Sequence, residues 1–200
     1  HQLGTPISSP MAWMELMESL GVDAETVAEM NKDVQRLSTI ASRFSKIGSK
    51  PQMESENLND VVTHASSYMA SRISSRIVLT INTCNGAIPV MASTPLFEWV
   101  MENLIKNAVD AMEGSGSITV TTGTEKGKGY IEVADTGKGL SRKNFKTIFN
   151  PGYTTKKRGW GLGLTLAKRI IEQYHSGRIF VLASEPGVGT TFRIEVPLCD

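Results

Sequence analysis

Two asparagines lie four residues apart in a segment with the apolar spacing of a helix. Asn103 and Asn107 therefore project from one helical face. The apolar residues Leu104, Ala108 and Ala111 are expected to face another. A carboxamide oxygen is a neutral, hard ligand that can complete the octahedral shell of Mg²⁺. Taken alone, the pair is explained more simply as two solvated asparagines on an amphipathic helix.

A carboxylate and two glycines form the next motif, at Asp135, Gly137 and Gly139, directly after a strand-like segment. Glycines let the backbone approach a ligand closely. A carboxylate is a natural acceptor for an exocyclic amine such as that of adenine. Hairpin turns also use Asp and Gly, so this motif alone is weak evidence for a binding site.

A glycine-rich stretch at residues 159–164 opens a helix-like segment, where unpaired amide groups and the helix dipole favour an anion. The stretch does not follow a strand in a repeated strand-helix-strand unit, which disfavours a dinucleotide-binding fold. Lys156, Lys157 and Arg158 precede it and either offer positive charge to phosphates or form a solvated loop. A last glycine segment, Gly187–Phe192, is by itself most often a hairpin turn.

The order of these motifs resembles that of the histidine kinase ATPase domain. The corresponding boxes are the N box at Asn103–Asn107, the first glycine box at Asp135–Gly139, the F box at Phe149–Lys156, and later glycine boxes at Gly159–Leu164 and Gly187–Thr190. Five boxes in register, within about residues 57–197, make the resemblance specific. It implies a layered α/β sandwich, shared with gyrase and the mismatch-repair ATPases, that binds ATP under a mobile lid at roughly residues 140–160.

The resemblance implies ATP and Mg²⁺ as ligands, with Asn107 as the metal ligand. The residues to which it assigns nucleotide binding are Asn103, Asn107, Asp135, Gly137, Gly139, Thr155, Lys156, Gly159, Gly161, Leu162, Gly163 and Thr190.

The first six residues, His1 to Pro6, resemble the H box of the same family. The resemblance implies that His1 accepts the phosphoryl group and that Thr5 serves dephosphorylation. A histidine at this position would, in isolation, suggest the remnant of a tag. An imidazole is largely neutral at physiological pH and offers a nucleophilic nitrogen. Gln2 departs from the family, in which many members carry an acidic residue there, so the role of deprotonating the histidine is unassigned.

Heptad-like apolar spacing over residues 3–17 and 27–44, interrupted at Gly21, predicts two antiparallel helices. A hairpin buries only one stripe per helix, so its natural completion is a four-helix bundle with a second copy, a homodimer. The alternative is that the stripe packs against the C-terminal domain of the same chain.

These patterns predict three parts: a partial dimerisation and phosphotransfer hairpin at residues 1–47, a linker at 48–57 and an ATP-binding domain at 58–200. The fold class is α+β, with a mixed sheet covered on one face by helices. Thr94 is the expected N-cap of the helix that carries Asn103. The predicted elements of the domain are helices at 58–71, 95–112 and 162–174, and strands at 77–83, near 90, and at 117–122, 130–134, 178–183 and 190–196.

The composition restricts partners and location. Basic residues exceed acidic ones by only one, which argues against a nucleic-acid partner. Cys84 and Cys199 lack the short spacings of zinc sites and are expected to be reduced thiols. No apolar run approaches a membrane span of roughly 18 residues. We expect a cytoplasmic segment of a longer protein, whose other segments sense a signal or anchor it in the bacterial inner membrane.

The expected activity is that of a protein histidine kinase. ATP would phosphorylate His1, and the phosphoryl group would pass to an Asp on a response-regulator receiver domain, with dephosphorylation of the regulator as a second activity. An ATP-hydrolysing clamp is the nearest rival, but it would need a glutamate at the position of Asn103. A docking module without catalysis, which acts by dimerising, is a third interpretation.

Overall fold

The computed structural model describes residues 5–31, 34, 51–154 and 161–199. The chain divides into two compact units, His1–Pro51 and Gln52–Asp200. The first unit contains α1 (Thr5–Ser19) and the helical residues 24–31, here α2. Gly21 takes a positive φ of 73° between them. The carboxylate of Asp23 accepts hydrogen bonds from the backbone N–H and the hydroxyl of Thr26, at 2.9 and 2.8 Å, as expected of an N-cap.

A five-stranded mixed sheet forms the second unit. Its strands are β2 (Ile77–Asn82), β4 (Gly116–Glu125), β5 (Lys128–Asp135), β6 (Arg178–Glu185) and β7 (Gly189–Pro197), in the order β2-β4-β5-β7-β6. Strand β2 pairs with β4 in parallel, and the other neighbours are antiparallel. A separate antiparallel ribbon joins β1 (Glu54–Asn57) to β3 (Pro89–Ala92).

Helices pack against one face of this sheet, as the sequence predicted. They are α3 (Leu58–Ala70), α4 (Thr94–Ala111) and α5 (Gly163–Arg169), which continues in a π-helical turn, Ile170–Tyr174. Burial along β5 alternates with period two, so Ile131, Val133 and Asp135 share one face. Phe97 and Ile105 of α4 are completely buried. The side chain of Asp135 therefore lies on the face that forms the apolar core.

Residues 54–57, predicted as the end of a linker, form β1 instead. The strand is stabilised because the Asn57 carboxamide accepts the backbone N–H of Ile88 at 3.0 Å, and the Leu58 N–H donates to the Ile88 carbonyl at 2.9 Å. Four polar residues without an apolar alternation gave no strand signal. The compact unit accordingly begins at Gln52 rather than at Leu58.

Helix α4 begins one residue earlier than predicted. Ser93 occupies the N-cap position without a side-chain cap bond, and Thr94 is already helical. The Thr94 hydroxyl instead donates to Glu56 of β1 at 3.1 Å, because β1 lies within its reach. Within the described ranges, no helix has the length and apolarity needed to cross a membrane.

Candidate functional site

Asp135 ends β5 with its carboxylate buried. One carboxylate oxygen accepts the N–H of Gly137 at 2.8 Å, and the backbone N–H of Thr190 also favours the charged form. Burial outweighs these bonds and raises the pKa of Asp135 above its ordinary value. A carboxylate has about four acceptor positions, so acceptor capacity remains for a donor group on a ligand.

Three glycines surround this carboxylate, and each lies where a side chain would not fit. A Cβ at Gly137 would lie 2.7 Å from the backbone of Ala111 at the end of α4. At Gly139, where φ is +65°, it would collide with the carbonyl oxygen of Glu185, and at Gly189 with that of Asp135. The backbone around Asp135 is therefore packed directly against neighbouring backbone, which holds the turns beside the carboxylate in close contact.

One hydroxyl holds the two glycine turns together. Ser184 donates to the carbonyl of Gly189 at 2.8 Å and bonds the Thr190 hydroxyl at 2.9 Å. It also accepts the N–H of Leu140 at 2.7 Å. Thr190 was predicted as a site residue, and the structure places it opposite Asp135 in the β5–β7 register. Ser184 was missed, because one serine near a strand end carries no distinctive sequence signal.

Helix α4 presents one face to both glycine regions. The N–H of Lys138 donates to the Ala111 carbonyl at 3.0 Å, so the end of α4 contacts the turn after Asp135. Asn107 precedes Ala111 by one turn, and Asn103 precedes Asn107 by another, so the three share a face. The expectation that Ala111 faces elsewhere was wrong, since the helical periodicity brings it back under Asn107.

Asn103 lies against the start of α5. Its carboxamide occupies the space that a Cβ on Gly163 would need. Its side-chain nitrogen is buried and has no hydrogen-bond partner among the described residues. A buried donor without a partner is costly, so it is available to an acceptor that enters the site.

The F box and the glycine box that opens α5 meet through the backbone. Gly152 donates to the carbonyl of Gly161 at 3.2 Å, and the hydroxyl of Thr165 donates to the carbonyl of Phe149 at 3.0 Å. Gly161 has a φ of +63°, and a Cβ there would collide with the backbone at Gly152. Leu162 and Gly163 follow at the start of α5, where the first N–H groups lack helical partners.

Four predicted site residues, His1, Thr155, Lys156 and Gly159, lie outside the described residues. Thr5 is the first residue of α1, but its side chain also lies outside the described part. Of the twelve predicted nucleotide-binding residues, those that the structure describes lie on four neighbouring elements: α4, the turn after β5, the start of α5 and the start of β7.

A buried histidine that the sequence did not single out connects α4 to the end of α5. The Nε2 atom of His175 accepts the N–H of Ser93 at 3.2 Å, which leaves Nδ1–H to donate to the Ile170 carbonyl at 3.0 Å. Its ring packs edge-on against Phe97, with 5.1 Å between ring centroids. Burial lowers the pKa of His175. The histidine is thus a neutral structural link that orients the helix carrying both asparagines.

The donor set fits a magnesium nucleotide better than a metal held by protein alone. Within the described residues, no group of three His, Cys, Asp or Glu side chains is placed to hold an ion. Mg²⁺ is ordinarily held by one or two protein oxygens together with phosphate oxygens and water. The carboxamide of Asn107, on the face of α4 that borders the site, offers a neutral oxygen of the type that such a metal accepts.

A buried carboxylate among glycine turns, beside two asparagines on a helix that covers a mixed sheet, is characteristic of an ATP-binding α+β sandwich. Residues 93–200 match the family described as histidine kinase-, DNA gyrase B-, and HSP90-like ATPases. The chain belongs to this family.

Relatives and solved structures agree with this assignment. Sensor histidine kinase ZraS of Escherichia coli (strain K12) is 32% identical over 207 residues, which cover 99% of this chain and 44% of that protein. The chain thus spans less than half the length of that relative. The catalytic domain of histidine kinase ThkA superposes with a TM-score of 0.66 and 28% identity, over 73% of this chain and 95% of that one.

A structure of ThkA in complex with the response regulator TrrA also has a similar fold. Its TM-score is 0.69 at 24% identity, and the superposition covers 100% of this chain and 59% of that one.

Proposed function

We propose that this chain is the catalytic core of a sensor histidine kinase, which phosphorylates His1 with ATP and passes the phosphoryl group to an Asp of a response regulator. The observation that carries the proposal is the buried Asp135 carboxylate, which retains acceptor capacity within glycine turns. The names of ZraS, a sensor histidine kinase, and of the histidine kinase ThkA support it.

Adenine would bind at Asp135, whose carboxylate accepts a hydrogen bond from the exocyclic amine. Its negative charge strengthens that bond, because the acceptor is ionised and desolvated. Gly137 and Gly139 keep the turn after Asp135 packed against Ala111 and Glu185, and the Thr190 N–H supports the carboxylate from β7. Gly159, Gly161, Leu162 and Gly163 would present backbone N–H groups to the phosphates at the start of α5.

Asn107 would hold Mg²⁺ through its carboxamide oxygen, and Asn103 would offer its unpartnered amide to the same region. The metal supplies neutralisation of phosphate charge when bound. Thr155 and Lys156 complete the set, with the lysine ammonium offsetting the charge that develops on the transferred phosphoryl group.

The nucleophile is the neutral imidazole of His1. Its ring nitrogen forms a bond to the γ-phosphorus of ATP while the bond to the β–γ bridging oxygen breaks, and ADP leaves with that oxygen. The imidazole proton passes to solvent, because Gln2 offers no carboxylate. Phosphohistidine then transfers its phosphoryl group to a receiver-domain Asp. Thr5 would orient the water that dephosphorylates this Asp of the response regulator.

The partners and setting follow from the same proposal. Two copies would dimerise through hairpins at residues 1–47, and the residues up to Pro51 would connect each hairpin to the ATP-binding unit that begins at Gln52. A response regulator would be the protein partner, as the composition of the ThkA–TrrA complex suggests. The segment would lie in the cytoplasm, within a parent protein anchored in the bacterial inner membrane.

Hydrolysis of ATP by water is disfavoured at this site. A hydrolysing clamp requires a general base one turn before the metal-binding asparagine, and Asn103 occupies that position. A carboxamide is a poor base, so water attack should be slow and transfer to a placed histidine favoured.

The direct test incubates the protein, extended upstream of His1, with γ-labelled ATP and Mg²⁺. The expected product is labelled protein whose label is acid-labile and alkali-stable, as a phosphoramidate should be. Nucleotide binding without labelled protein would support a docking module instead. Rapid release of labelled inorganic phosphate, without a labelled protein, would support a hydrolysing clamp.

A further inference from the structure

Charge is segregated along this chain. Residues 136–171 contain nine Lys or Arg residues and no Asp or Glu, whereas the other 164 residues contain 12 basic residues and all 20 acidic ones. A chain with a net charge of only +1 therefore concentrates its positive charge in one segment that begins directly after Asp135. Uniform mixing of charge would serve solubility alone, so this asymmetry suggests an anionic partner.

Three of these basic residues, Arg142, Lys143 and Lys146, form what we call the basic rim. All three side chains are exposed, and none forms an ion pair with a described residue. Arg142 and Lys143 lie in one short 3₁₀ turn, and Lys146 immediately precedes another. Their charges are thus displayed to solvent rather than neutralised locally.

The rim is fixed at both ends to the candidate nucleotide site. On one side, the Leu140 N–H bonds Ser184, which also bonds Thr190 opposite Asp135. On the other side, Phe149 is buried, and its carbonyl accepts the Thr165 hydroxyl from the first turns of α5. Arg142 lies two residues after Leu140, and Lys146 lies three residues before Phe149, spans of at most about 7 and about 11 Å. The backbone of the rim therefore lies close to both attachment points of the candidate site.

We propose that the basic rim steers the polyphosphate of the nucleotide into the site and raises its association rate. The inference rests on the proposed nucleotide site and adds a function to residues outside the family's motif boxes. Charges within about a Debye length, roughly 8 Å at physiological ionic strength, act on an approaching anion without contacting it. Such steering changes association rates more than dissociation rates.

The magnitude follows from the charge of the ligand. Three charges about 10 Å from a ligand of about four negative charges, screened at physiological salt, accelerate association roughly tenfold. With about two negative charges, as on Mg-ATP, the same estimate is about threefold. An uncharged nucleoside should gain nothing.

The test compares two triple variants with the unmodified chain. The rim variant carries Arg142→Gln, Lys143→Gln and Lys146→Gln. The control variant carries Lys126→Gln, Lys128→Gln and Arg178→Gln, which remove the same charge from the opposite end of the sheet, about 24 Å along β5 from Asp135. Loss of the partly exposed Lys128–Glu195 pair in the control should cost little, because Glu195 keeps its ion pair with Arg193.

Stopped-flow fluorescence measures the association and dissociation rate constants at several salt concentrations. The ligands are mant-labelled ATP with EDTA, the same nucleotide with Mg²⁺, and mant-adenosine. We expect kon of the rim variant to fall about tenfold without metal and about threefold with Mg²⁺, with koff within about twofold of the unmodified chain. The deficit should vanish at high salt, and the control should bind normally.

An unchanged kon in the rim variant, or an equal loss in the control variant, would overturn the proposal. A loss confined to koff would also overturn it and would assign these side chains to direct phosphate contact. Failure of the unmodified chain to bind any nucleotide would instead refute the nucleotide site itself, so the two failures are distinguishable.

Discussion

Replacing Asp135 with asparagine changes the proposed adenine acceptor while keeping its size. An asparagine can turn only one acceptor oxygen towards the adenine amine, and its other end is a donor. In the structure, Gly137 N–H already occupies one carboxylate oxygen at 2.8 Å. The single oxygen of the asparagine amide can accept either the Gly137 N–H or the adenine amine. In either orientation, the NH₂ group of the asparagine faces the other of these two donors.

The expected loss of affinity follows from the burial of this group. A buried, charge-assisted hydrogen bond is worth about 1.5–3 kcal/mol, which corresponds to roughly tenfold to a hundredfold in Kd. Asp60→Asn is the matched control, because that exposed carboxylate bonds only Asn57 among the described residues. The control should bind ATP normally.

The same substitution, Asp135→Asn, should increase the stability of the nucleotide-free protein although it weakens ATP binding. Burial raises the pKa of Asp135 in the folded state above its ordinary value of 3.8, so folding favours the neutral form of this carboxyl. The contribution of the neutral Asp135 to the free energy of unfolding is fully present below about pH 3.8 and is lost as pH rises through the folded pKa. At pH 7 the ionised carboxylate thus opposes folding, and Asp135→Asn should raise the Tm of the nucleotide-free protein.

Calorimetric titration with ATP and thermal unfolding at pH 7 measure the two effects on the same samples. Unchanged affinity would refute Asp135 as the adenine acceptor. A Tm that falls together with the affinity would mean that the fold had been damaged, and the loss of binding would then carry no information about adenine.

Three further predictions concern other residues. Asn107→Ala should weaken Mg-ATP binding roughly tenfold more than binding of metal-free ATP, measured by titration with and without EDTA, and equal losses would indicate damage to α4 instead. Because burial lowers the pKa of His175, its contribution to stability should be present above about pH 6.5 and lost as pH falls towards its folded pKa. A Tm series from pH 5 to 8 that is equally steep in His175→Gln would contradict this. His1→Gln should abolish protein labelling while ATP affinity is retained, whereas Thr5→Ala should label normally and lose most regulator dephosphorylation; the reverse pattern for Thr5→Ala would overturn its role.

Much of the site could be predicted because the information is local. Asp135 ends a strand whose apolar residues alternate, so period two alone places its carboxylate on the core face. The glycines of the boxes mark positions where only backbone fits, and Gly139 and Gly161 indeed have positive φ. Helical periodicity likewise put Asn103 and Asn107 on one face.

Other contacts could not be predicted because both partners are distant in sequence. Ser184 bonds Leu140 across 44 residues, and His175 bonds Ser93 across 82. Neither side chain differs from an ordinary polar residue until the sheet and helices bring the partners together. The Thr94 hydroxyl was misassigned for the same reason, since the competing acceptor, Glu56, lies 38 residues away.

Helix α4 connects the two ends of the candidate site. Asn103 touches Gly163 at the start of α5, while Ala111 touches Gly137 beside Asp135. Ala111 follows Asn103 by eight positions, which corresponds to about 12 Å along the helix axis. One rigid helix therefore sets the separation between the carboxylate end and the amide end of the site, on a scale that suits an extended nucleoside triphosphate. Because His175 fixes the start of this helix against the π-helical turn after α5, the spacing of the site depends on a residue that would never touch the ligand.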